Sequence, residues 1–170
     1  VPQPKKIACI NVKWQNYEVT EAKCLQLAKY IAGFYNKNSN GKLNLVPEAH
    51  TYDYSHTAII QRIKTGTKKA INQNHNQLHA LANLAEIGFK QQFPADYYIY
   101  PQYWAWGSRI SNGVARVGQN TDWVARHEVG HLLGLDEEAL RHLVKDDEGT
   151  IKKLNEKSLV AKYKVEYKSH

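Results

Sequence analysis

The chain has 170 residues, 42% of them hydrophobic and 23% charged, the balance of a globular domain that can bury its own core without a metal or disulfide to hold it. Its apolar runs are only a few residues long, which excludes a transmembrane helix. The formal net charge of +7 comes from 23 Lys and Arg against 16 Asp and Glu. These basic residues are scattered through polar segments with no dense Arg run, so the surplus reads as solvated surface and no nucleic-acid partner is expected.

The chain opens Val-Pro-Gln-Pro-Lys-Lys and contains no Met. A mature fragment whose leader or pro-segment has been cut away accounts for both features, and a processed, secreted protein is the expectation. Residues 6–14 are rich in apolar and β-branched side chains and read as a strand. Thr20 is placed to cap a helix over 21–36, where Ala22, Leu25, Ala28, Ile31, Ala32 and Tyr35 recur at helical spacing. Cys9 falls on that strand and Cys24 on that helix. One disulfide in an oxidising compartment or two buried thiols would both fit.

The segment 36–41 is a turn cluster, and a second strand is expected over 42–46, running toward Tyr54. Helical patterns follow at 57–72 and 76–92, the latter stopped by Pro94. Residues 96–100 read as a strand and 101–107 as an aromatic loop. Residues 113–118 form a short strand bracketed by glycines, and 121–133 a helix capped by Asn120 or Thr121 and ended at Gly134. The remainder, 135–170, is charged and weakly patterned, with room for one more helix. This order of strands and helices predicts a mixed α/β (α+β) fold with helices packed on one sheet.

Chemistry concentrates in one place. Trp123-Val-Ala-Arg-His127-Glu128-Val-Gly-His131-Leu-Leu-Gly134 contains His-Glu-x-x-His on the last predicted helix. Positions i and i+4 share a helix face, so His127 and His131 can aim both imidazoles at one ion. Imidazole suits zinc. Glu128 stands beside the ion without being forced to ligate it, where it can deprotonate a metal-activated water. Gly134 follows His131 by three residues and breaks the helix where a third ligand must return. No phosphate-binding glycine loop, Gly-x-Ser-x-Gly elbow or Cys-x-x-Cys pair competes with this motif. His75 and His79 are also at i, i+4, but no glutamate or third ligand accompanies them, and they read as surface, like His50 and His56.

The run from His127 to Leu135 resembles the metzincin zinc proteases, whose signature is His-Glu-x-x-His-x-x-Gly-x-x-His or Asp, and is most similar to the gametolysin-type and bacterial secreted branches. The strong likeness covers about 15 residues, with a weaker one in the order of elements. It implies a zincin-like twisted mixed sheet with the active-site helix in an N-terminal subdomain, 1–134, and a short C-terminal subdomain, 135–170, in one compact catalytic domain. The third-ligand position holds Glu137, with Asp136, Glu138 and His142 as alternatives. No methionine-bearing turn can exist in this chain. Its nearest analogue is Ser158–Tyr163, which would bring Tyr163 or Tyr167 near the metal as a fifth ligand or oxyanion donor. The likeness also implies substrate binding along an edge strand, expected at Val114, Ala115 and Arg116.

The resulting expectation is a monomeric zinc endopeptidase acting on proteins or peptides, with Zn2+ as cofactor and Glu128 as general base. The alternative is a catalytically inactive binding module on the same fold, using its basic surface to hold an anionic partner. An intact Glu128 speaks against that alternative, because a purely structural metal site has no use for it.

Overall fold

The first strand, β1 (Lys5–Lys13), lacks a polar face: Ile7, Ala8, Cys9 and Ile10 are all fully buried. A run of this kind needs cover on both sides of the sheet. The computed structural model describes residues 2–13, 19–53, 75–102, 109–117 and 122–136, and β1 is covered in this way. Ile7 and Cys9 join a core with helix α1 (Glu21–Asn38), while Ala8, Ile10 and Val12 pack toward helix α2 (His75–Gln92).

The remaining strands are β2 (Leu45–Asp53), β3 (Tyr97–Pro101), β4 (Arg109–Ser111) and β5 (Val114–Val117), followed by helix α3 (Asp122–Leu132). They form one sheet in the order β2-β1-β3-β5-β4. The first four strands of that order run parallel, and β4 is antiparallel to β5 at one edge. The fold is therefore mixed α/β, with three helices among the described residues. None of these helices is long and apolar enough to cross a membrane.

Local chemistry sets the boundaries. Thr20 caps α1 as expected, its hydroxyl accepting from the Lys23 amide at 3.2 Å. The helix runs two residues beyond 36 because Asn36 is not a turn residue. Its side-chain amide donates to the Leu45 carbonyl at 3.0 Å and its oxygen accepts from the Leu45 amide at 2.7 Å, tying the end of α1 to the start of β2. The turn proper uses Asn40 and Gly41, both at positive φ. β2 tolerates Pro47 because it is an edge strand. α2 ends ahead of Pro94, as the sequence predicts. The helix expected over 57–72 lies outside the described residues, as does most of the aromatic loop.

The structure corrects the reading of Val114, Ala115 and Arg116. Their strand, β5, is not an edge: β3 pairs with it on one side and β4 on the other. Val114 and Ala115 are fully buried, and Arg116 turns under α2. There its Nε donates to Glu86 and its Nη2 to the Asn83 oxygen. Among the described residues the edge on this side is β4, which was not foreseen, being only three residues long. Its signal was the dipeptide Asn112-Gly113, with φ of 50° and 77°, which makes the tight hairpin to β5.

Cys9 and Cys24 are buried thiols in the α1-side core. Gly88 has a packing role: a Cβ there would fall 2.0 Å from the Tyr52 hydroxyl, so bare helix backbone lets Tyr52 of β2 approach. Of the expected C-terminal subdomain only Leu135 and Asp136 are described.

The buried pair of Arg116 and Glu86 ties α2 to β5, and removing one partner strands a charge. Glu86→Ala should cost about 3 kcal/mol in urea unfolding, whereas the double change Arg116→Met, Glu86→Leu should recover most of it.

Candidate metal centre

Helix α3 enters the core directly after the sheet's last strand in sequence. Val124, Ala125 and Val129 are buried against α1 and the sheet, which fixes the inner face of the helix. Its position is further held by Arg126, only 1% exposed. The Arg126 guanidinium donates to the Tyr30 hydroxyl at 3.0 Å and lies 4.5 Å from the centre of the Phe34 ring. The Tyr35 hydroxyl donates to the Arg126 main-chain oxygen at 2.6 Å. Burial pushes this hydroxyl well above the usual phenol range, against the lowering pull of Arg126, so it stays a donor. The sequence reading missed this contact; the signal available was a lone arginine among the buried positions of the helix.

The two motif histidines come together as the helical spacing requires. Their Nε2 atoms are 3.1 Å apart, and the rings meet edge to face at 4.7 Å and 85°. Nδ1 of His131 lies 2.9 Å from the Leu135 carbonyl oxygen. A carbonyl only accepts, so Nδ1 carries a proton, and in the neutral ring Nε2 then presents a lone pair. That is the tautomer a metal ligand needs, oriented by a main-chain partner. His127 and His131 would supply two of the nitrogen donors that a zinc ion takes, and zinc held there would act as a Lewis acid.

The Leu135 carbonyl is where it is because of Gly134. The Leu135 amide bonds back to the Gly130 carbonyl and the Gly134 amide to the His131 carbonyl, both at 3.0 Å. This pair of bonds is the Schellman helix stop, with Gly134 in the left-handed region at φ 90°. Leu135 then folds back onto the core. The glycine expected to end the helix thus also supplies the turn that orients the second histidine.

Glu128 is 3% exposed, next to His127 and one helical step away from it in direction. Its burial places a carboxylate in surroundings where electrostatic interactions are strong. Asp136 is exposed, and among the described residues no third His, Cys, Asp or Glu completes a metal-binding group with the histidine pair. Glu137, Glu138, His142, Tyr163 and Tyr167 lie outside the described residues. His50 is engaged elsewhere, 3.1 Å from Glu48 and stacked on Phe93. His75 and His79 fall at the start of α2, and His56 is outside the described residues.

No family model, curated protein or solved structure matches this chain.

A Cβ at Gly134 would meet no atom within 4 Å, so substitution there is opposed by backbone conformation alone. Gly134→Ala should destabilise the protein by about 1–2 kcal/mol in chemical denaturation, and Gly134→Asn by less.

Proposed function

We propose that the chain is a zinc-dependent endopeptidase of the zincin type, hydrolysing peptide bonds in protein or peptide substrates. One observation carries the reading: two imidazole Nε2 atoms converge at 3.1 Å, one of them held in the ligating tautomer by a main-chain carbonyl. His127 and His131 would hold the ion, with Glu137 as the third donor. Zinc bound there would polarise the scissile carbonyl and lower the pKa of the attacking water. Glu128 takes the proton from that water and passes it to the departing amine.

The mixed sheet, with α3 following its last strand, supports a zincin-like layout. α3 also packs near β4, the antiparallel edge. An extended substrate adds to an exposed edge by main-chain hydrogen bonds, so on this fold it would run along Arg109–Ser111. The same reading includes zinc as the resident cofactor and a secreted, monomeric protein.

The protein should bind one zinc and cleave an unstructured protein such as casein. Glu128→Ala should keep the zinc and lose cleavage by about 10²–10⁴-fold. Zinc bound without cleavage by either form, across a broad peptide library, would instead favour a non-catalytic binding module. A protein that takes up no zinc would leave the histidine pair without a metal role.

A further inference from the structure

Helix α3 carries both imidazoles, at i and i+4, so its rotation about its own axis decides where the histidines point. An imidazole nitrogen lies about 6–7 Å from a helix axis, so a roll of about 10° moves it by about 1 Å. Metal–ligand distances tolerate only about 0.2 Å. Apolar contacts such as those of Val124, Ala125 and Val129 are not directional, so they define the roll less sharply than hydrogen bonds do.

Arg126 removes that freedom. It immediately precedes His127 and is held at a socket made by Tyr30 of α1 and, about one turn further on, the adjacent Phe34 and Tyr35. Tyr30 accepts from the guanidinium and the Phe34 ring lies beneath it. Tyr35 reaches past the side chain to the Arg126 carbonyl, the oxygen of the peptide unit that His127 completes. A carbonyl has two lone pairs, so this bond adds to the helical one without displacing it. Directional bonds thus hold both the side chain and the peptide of the residue before the first motif histidine.

We infer that the Tyr30–Phe34–Tyr35 socket is a positioning device for the metal site, fixing the roll of α3 through Arg126 and hence the direction of the His127 imidazole. The inference rests on the metal-centre reading above. Arg126 and Tyr35 are positioning residues: neither would touch the metal or the substrate. His131 depends on the socket less, because the Leu135 carbonyl holds its ring separately.

The test compares wild type with Tyr35→Phe, which deletes one hydroxyl, and Arg126→Lys, which keeps the charge but loses the planar group over Phe34. Cys24→Ala is the control, a buried core change on α1 six residues before Tyr30. Nitrogen-15 NMR of the imidazoles is recorded on metal-free protein, and zinc affinity is measured by competition with a chelator. In both socket variants the His127 ring signals should move or broaden while those of His131 change less, and zinc should bind about tenfold more weakly. Cys24→Ala should lower stability yet leave both readouts at wild-type values. Socket variants that lose stability while keeping wild-type His127 signals and zinc affinity would overturn the inference and leave Arg126 as packing. If Arg126→Lys fails to fold, Tyr35→Phe decides alone. If the wild type binds no zinc, the proposed function fails, and the metal-free His127 signals alone decide for or against the socket.

Discussion

Docking of α3 into the α1-side core is the interaction on which the candidate site depends. The helix must bury one face to be stable at all, since eleven residues are too few to hold a helix in water alone. With the helix docked, its pitch brings the imidazoles of His127 and His131 together. Two devices make the arrangement specific. At one end Arg126 is gripped by aromatic residues of α1, and at the other Gly134 stops the helix and turns the Leu135 carbonyl onto His131. The same short stretch is therefore core, ligand carrier and turn.

Polar groups in this interior act as registers. Asn11, in the middle of β1, accepts from the Val19 amide and donates to Thr51 of β2, so it ties the central strand to the start of α1 and to its edge neighbour. Asn36 does the same for the other end of α1. Arg116 with Glu86 and Asn83 seats α2 on β5. Each buried polar side chain carries a desolvation cost that only well-formed bonds offset. Alternative packings that broke these bonds would lose that compensation, which is how polar contacts narrow the fold to one arrangement even where their net stabilisation is small.

Much of the layout was legible because the residues concerned act locally. A cap at Thr20, a stop at Pro94 and the left-handed Gly134 are consequences of side-chain or backbone geometry within a few residues. The juxtaposition of His127 and His131 was legible for the same reason, since helical pitch alone brings i and i+4 together. The extent of α1 was misjudged because Asn36 bonds to Leu45, a partner that no local rule identifies. The role of Val114, Ala115 and Arg116 was misjudged because a strand's place in a sheet depends on what pairs with it, and the three residues of β4 carry almost no periodic signal.

By itself, then, the sequence determined the three described helices and main strands, the glycine stop and the pairing of two imidazoles, all of which follow from short-range geometry. Only the tertiary structure decided that β5 is interior and β4 the edge, that Arg116 faces α2 instead of a cleft, and that Arg126 is held by α1. Those are long-range choices, set by which strand pairs and which buried donors find acceptors, between residues separated by up to 96 positions in the chain.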